Sequence, residues 1–156
     1  MAAHIKRILI KEFEGLRLTA YQDISETWTV GWGHTGPEVH QGLVWTQAQA
    51  DAQLLIDLGT FEAGVWTYLT RVPTQGQFDA MVDIAYNIGL GAFTNSTLLR
   101  KFNAGDIEGA AREFGRWIFA ANVFGFADNP VLFVGLTSIV AGLVNRRVAE
   151  VIVFMS

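Results

Sequence analysis

Apolar residues recur at helical spacing almost from the first residue. Ile5, Ile8, Leu9 and Phe13 fall on one face, with Lys6, Arg7, Lys11 and Glu12 between them, which predicts an amphipathic helix over 3–13. Gly15 is a natural stop for that helix. From 16 to 45 the pattern changes to Thr, Tyr, Trp and Val mixed with Gly and one Pro, the mark of short strands and turns. Thr46 and Gln49 then form a T-x-x-Q capping box. The helix it opens carries its apolar face on Leu54, Leu55, Leu58, Phe61, Val65 and Leu69. After Pro73 a second box, Thr74 to Gln77, opens a helix whose face is Phe78, Met81, Val82, Ala85 and Ile88. "GLGAF" ends it, Asn95 or Ser96 can cap the next, and Gly105-Asp106 reads as one helix stopping and another starting. The prediction is α+β: helix, a small sheet in the N-terminal third, then several helices.

The tail departs from this alternation. "PVLFVGLTSIVAGLV", residues 130–144, carries no charge. It falls short of the roughly 20 residues a transmembrane helix needs, so a buried core helix is expected and no stable membrane insertion. Val134-Gly135-Leu136 is echoed by Ala141-Gly142-Leu143, a slight hint of duplication.

Composition narrows the class. With 156 residues, 51% of them hydrophobic and 17% charged, the chain can bury a core of useful size as one domain. A net charge of −4 supplies no basic field, which argues against nucleic acid as a partner. The absence of cysteine excludes disulfides and thiolate zinc sites. The run Ile8-Leu9-Ile10 is too short for a signal-peptide core, so synthesis in a host cytoplasm without an export signal is expected.

The window Glu14–Gly36, "EGLRLTAYQDISETWTVGWGHTG", gathers two carboxylates and a hydroxyl in this otherwise oily chain. Glycoside hydrolysis needs such a pair, one acid protonated to serve the leaving oxygen and the other ionised to activate water or attack directly. Glu14, at a helix end, can turn toward a neighbouring sheet, where partial burial would favour its protonated form. Asp23, in the polar turn region, suits the ionised role, and Thr29 can hold a water beside it. Spacing alone does not select Glu14 over Glu12, or Asp23 over Glu26 and Glu38.

The pattern E-x8-D-x5-T of Glu14, Asp23 and Thr29 resembles the signature of phage-type lysozymes, glycoside hydrolase family 24. The blocks "KEFEGLRLTAYQD", "WTVGWGHTG", "TQAQADAQLL", "PTQGQFDAMVDIAYNIGLGAF", "STLLRKFNAGD" and "GLVNRRVAE" are similar to that family in the same order. The similarity runs from about Ile8 to Phe154, segment 118–141 excepted. The resemblance implies a lysozyme-like fold over 1–156. Its small lobe, about 14–60, would hold an antiparallel sheet, and a larger helical lobe would comprise 1–13 plus 61–156. It also implies an endolysin that hydrolyses the β-1,4 bond between N-acetylmuramic acid and N-acetylglucosamine in peptidoglycan, as a monomer and without cofactor or metal. Glu14 would be the acid, Asp23 the base or electrostatic partner and Thr29 the residue placing the water, with inversion at the anomeric carbon. By the same resemblance His34 pairs structurally with Asp57, and Tyr86 and Asn87 border the cleft, Asn87 facing the acetamido group. Read without it, Tyr86 is a core aromatic beside a capping amide. Trp28 has the best claim of the tryptophans to stack on sugar, though most tryptophans fill cores.

Two features depart from the family pattern. Between Arg116-Trp117 and "GLVNRR" a long apolar stretch replaces a short polar linker, which bears on subsite contacts. The acidic charge makes capture of an anionic wall depend on short-range contacts. The rival readings are a non-hydrolytic wall binder, a membrane-active helical protein, and a transglycosylase sharing the acid.

Overall fold

Two glycines allow the first tertiary feature, a tight reversal between short strands. Gly31 and Gly33 have φ of 69° and 90°, a conformation open to glycine and strained for other residues. The chain thereby turns at Trp32-Gly33 between β2 (Trp28–Gly31) and β3 (His34–Thr35). β1 (Arg17–Gln22) pairs antiparallel with β2, placing Tyr21 opposite Thr29, and the register shifts between Arg17 and Tyr21. β2 pairs antiparallel with β3 through Thr29–Thr35 and Val30–His34, giving the order β1-β2-β3. The computed structural model describes residues 10–12, 14–23, 26–117 and 133–156, with side chains in the last stretch from Val144 onward.

The helices start where the sequence sets them. α1 (Gln47–Tyr68) and α2 (Gln75–Ile88) both open on complete capping boxes, at Thr46/Gln49 and Thr74/Gln77. Ser96 caps α4 (Thr97–Asn103) by accepting from the Leu99 amide at 3.1 Å, and Asp106 caps α5 (Ile107–Glu113). Each such cap contributes about 1 kcal/mol by satisfying amides that have no helical partner. α3 (Leu90–Thr94) lies between α2 and α4, a 3₁₀ turn (Phe114–Arg116) follows α5, and α6 (Phe133–Met155) closes the chain.

α2 is the axis of the helical part. Residues 79–85 are buried without interruption. Met81, Ile84, Phe93, Phe102, Phe114 and Phe154 form the heart of the main core, which Ile10 of the N-terminal helical segment joins. A second, smaller core of Ala20, Val30 and Val39 sits under the sheet, with Trp28, Leu43 and Trp45 packed on it. The fold is the α+β arrangement read from the sequence.

Three expectations need correction or limits. Leu55 was assigned to the buried face of α1 but is 54% exposed; it neighbours Leu54, and an α-helix turns about 100° per residue, so only one of the two can face α2. Of the helix predicted over 3–13, residues 10–12 are helical and Glu14 continues the segment, whereas Ile5, Ile8, Leu9 and Phe13 lie outside the described residues. Residues 130–132 and the side chains of 133–143 also lie outside them, and with these the expected burial of the uncharged stretch. Among the described residues no helix is long and apolar enough to cross a membrane.

Candidate active site

Glu14 stands at the end of the N-terminal helical segment, immediately before Gly15 releases the chain into β1. Its carboxylate lies against the β2–β3 turn: a Cβ placed on Gly33 would come 3.1 Å from Glu14 Oε2. The other oxygen, Oε1, accepts a hydrogen bond of 2.6 Å from Arg146 Nη1. One carboxyl oxygen is thus occupied by a buried guanidinium and the other faces the glycine turn.

A cleft of about 940 Å³ opens there. Tyr21, Asp23, Thr29 and Thr35 line it from the sheet side, and Phe61, Tyr86, Asn87 and Trp117 from the helices. Glu14, Asp23 and Thr29 therefore share one cavity. The Asp23 side chain also organises its own turn, with Oδ1 accepting from the Thr27 amide at 2.9 Å and the Asp23 amide donating to the Thr27 carbonyl at 3.0 Å. Thr29 is 4% exposed, and its hydroxyl donates to the Thr27 carbonyl at 3.1 Å. With its proton so engaged, the Thr29 oxygen presents lone pairs to a water.

Tyr86 lines the cleft through its ring, 5.1 Å from that of Phe61, while its hydroxyl donates to the Trp32 carbonyl at 2.9 Å. Burial pushes the phenol well above its ordinary range, so Tyr86 keeps its proton at neutral pH and fixes the turn to α2 as a hydrogen-bond donor. The Asn87 carbonyl accepts from Arg147, which leaves its amide N–H groups as donors toward the cleft.

His34 sits between two acids, with Nδ1 2.7 Å from Asp57 and Nε2 2.7 Å from Glu38. Burial disfavours the imidazolium, but the hydrogen bonds and charges of Glu38 and Asp57 together outweigh it and raise the His34 pKa. In return the bond from His34 holds the Glu38 carboxyl below its usual range. With both ring nitrogens committed, His34 ties β3 to α1. Among the described residues no group of three His, Asp or Glu side chains could hold a metal ion.

Trp28 does not line the cleft; it packs against the small core beneath the sheet. Its expected sugar-stacking role is corrected by position, since alternation along β2 sends Trp28 and Thr29 to opposite faces. Trp117, quoted in the sequence only as part of an "RW" pair, lines the cleft instead. The cluster behind Glu14 was likewise missed. Asp83 on α2 clamps Arg146 through two bonds of 3.1 Å, to Nε and Nη2. Arg147 and Glu150 lie buried beside it. The only signal for it was charge inside "GLVNRRVAE" and the acid Asp83 in the apolar middle of α2.

Comparison with known proteins agrees with this architecture. Residues 11–150 match the family model described as phage lysozyme. The chain is 42% identical to the endolysin of Acyrthosiphon pisum secondary endosymbiont phage 1 over 96% of its own length and 94% of that protein. It is 41% identical to the endolysin of Bacillus phage PZA over 95% of its own length, but spans only 52% of that relative. Among solved structures, the muramidase domain of SpmX from Asticaccaulis excentricus superposes with a TM-score of 0.78 at 35% identity, covering 99% of this chain and 95% of that one.

Proposed function

The chain belongs to the phage lysozyme family, and from that premise we propose how its cleft cuts peptidoglycan. The protein is a glycoside hydrolase, a muramidase of the endolysin type. Glu14 donates a proton to the glycosidic oxygen between N-acetylmuramic acid and N-acetylglucosamine. Asp23 takes a proton from a water held against Thr29, and that water attacks the opposite face of the sugar. The outcome is inversion. The observation carrying this reading is that Glu14, Asp23 and Thr29 line the same cleft, with room of about 940 Å³ for the glycan.

The division of labour follows from the surroundings. Glu14 is packed between a glycine turn and a buried arginine, with its side chain 22% exposed. Asp23 lies in a polar turn with donors and open solvent nearby. Glu14 is thus held in place by a fixed guanidinium, while Asp23 stands open to the water it would deprotonate. The Asn87 amide offers donors to an acetamido oxygen, and Trp117 an apolar face to a sugar ring. The sheet-bearing lobe, about 14–60, and the helical remainder form the two walls, and the working unit is the monomer, because one chain supplies both acids and the threonine.

Product mass tests the water step. Digestion of purified peptidoglycan should release fragments with a reducing muramic acid, one water heavier than the anhydro products of a transglycosylase. Anhydro-muramic products would exclude the role given to Asp23 and Thr29.

A further inference from the structure

Behind Glu14 lies a cluster of charges that the bond-cleaving step does not use. Arg146 donates to Glu14 at 2.6 Å and is clamped by Asp83. Arg147 Nη1 lies 2.6 Å from both oxygens of Glu150. Asp83 and Glu150 are both 0% exposed, Arg146 3% and Arg147 2%. Among the described residues, three carboxyl groups (Glu14, Asp83, Glu150) thus meet two guanidiniums. Two other buried acids lie on elements packed against α6: Glu113 on α5, engaged by Lys101 and Arg116, and Asp79 on α2, whose Oδ1 accepts from Gln75 at 2.7 Å.

Two details show how the excess negative charge is managed. Asp83 Oδ2 and Glu150 Oε1 converge on one donor, Arg146 Nε, at 3.1 and 3.5 Å. The two carboxyl groups therefore face one another across that donor, within reach of each other and closed to water. Ionised carboxylates have only acceptors and repel one another, so a close pair of this kind is reconciled by a proton between them.

We propose that Asp83 and Glu150 share one buried proton, and that this pair is the positioning device that holds the Arg146 guanidinium in plane with its Nη1 aimed at Glu14. The proton neutralises the surplus charge of the cluster. Without it, two full carboxylates in a site closed to water would repel one another and compete for Arg146. With it, Asp83 keeps both bonds to the guanidinium, while Glu150 serves Arg147 and, through it, the Asn87 carbonyl. Burial, first, and then the bond and charge of Asp83 push the Glu150 carboxyl well above the ordinary range, in keeping with the geometry. The link to Glu14 rests on the hydrolytic reading given above; the location of the proton does not.

Isotope-edited infrared spectroscopy of the full chain, with ¹³C-labelled glutamate, tests the proton directly. At neutral pH the wild type should show the C=O stretch of a protonated glutamic acid, and Glu150→Gln should lack it. An amide can donate to Asp83 as the acid does, so Glu150→Gln should fold and match the wild-type Tm near pH 4. Its Tm should then rise relative to wild type as pH climbs above about 4.3, the unfolded glutamate value, because stability tied to a bound proton is lost in that direction. For positioning, Asp83→Asn should lower kcat by ~10–10²-fold, the scale of a misplaced catalytic group, with KM little changed. Absence of the protonated band at neutral pH overturns the proposal even if no variant folds. A Tm difference between Glu150→Gln and wild type that stays flat with pH overturns it as well. A kcat of Asp83→Asn equal to wild type overturns the positioning claim. A wild-type chain that shows the band and leaves peptidoglycan uncut would instead overturn the hydrolytic reading.

Discussion

Replacing Gly33 by alanine places one methyl group between the sheet turn and the proposed acid. Two costs can be worked out. The backbone at Gly33 has φ of 90°, and an L-residue in a left-handed conformation costs about 1–2 kcal/mol. The new Cβ would also stand 3.1 Å from Glu14 Oε2, 3.5 Å from its carboxyl carbon and 3.7 Å from the Tyr86 ring. The carboxylate must yield by a few tenths of an ångström, while Arg146 at 2.6 Å restrains it from behind. In a domain of this size a loss of about 1–2 kcal/mol lowers Tm by roughly 2–8 °C. A 1 Å misplacement near the chemistry costs up to ~10²-fold, so this smaller shift should lower kcat by about 10-fold. Gly42→Ala separates the two effects, since Gly42 has φ of 84° and nothing within 4 Å of an added Cβ. It should show a similar fall in Tm and wild-type kcat. The assays are calorimetry and initial rates on soluble glycan strands. Equal kcat in Gly33→Ala and Gly42→Ala would refute the close packing of Glu14 on the turn.

Three further outcomes are expected. The raised pKa of His34 means that the folded chain holds the histidine proton more tightly than the unfolded one. The stability contributed by the Glu38–His34–Asp57 triad should therefore be complete below the unfolded pKa of about 6.5 and lost as pH rises through the folded value; Asp57→Asn should cost about 1–3 kcal/mol in acid and flatten that slope in Tm against pH. Thr46→Ala should cost about 1 kcal/mol by opening the capping box of α1, measured by denaturant titration, with kcat unchanged. Trp117→Ala should raise KM for soluble glycan, whereas Trp28→Ala should lower Tm and leave KM in place, unlike the stacking role expected for Trp28 from sequence alone.

What could be read from the chain was governed by local rules. Both capping boxes, at Thr46 and Thr74, stood at the observed helix starts, because a cap is a contact between residues three apart. The Thr, Tyr, Trp and Val of 16–45, mixed with Gly and a Pro, likewise marked the small sheet. Glu14, Asp23 and Thr29 were chosen through resemblance, since their chemistry alone left Glu12, Glu26 and Glu38 as equals. Leu55 failed because hydrophobicity marks a face only to within a residue or so. Trp28 was misplaced and Trp117 overlooked because an aromatic's partner is set by tertiary position: Trp28 joins the core beneath the sheet, and Trp117 reaches the cleft from the helical side. The buried charge cluster was the least legible feature. A pattern such as "NRRVAE" reads as a solvated helix face unless it is known that Asp83, 63 residues earlier in the chain than Arg146, meets it across the core.

The most direct test of the central claim is the turnover of Glu14→Gln on purified peptidoglycan, with its Tm and circular dichroism recorded alongside. The amide keeps the shape of the side chain and removes the transferable proton, so a drop in kcat of ~10²–10⁴-fold with an intact fold is expected. A folded Glu14→Gln that cleaves within a few-fold of wild type would contradict the assignment of this cleft as the place where the glycosidic bond is broken.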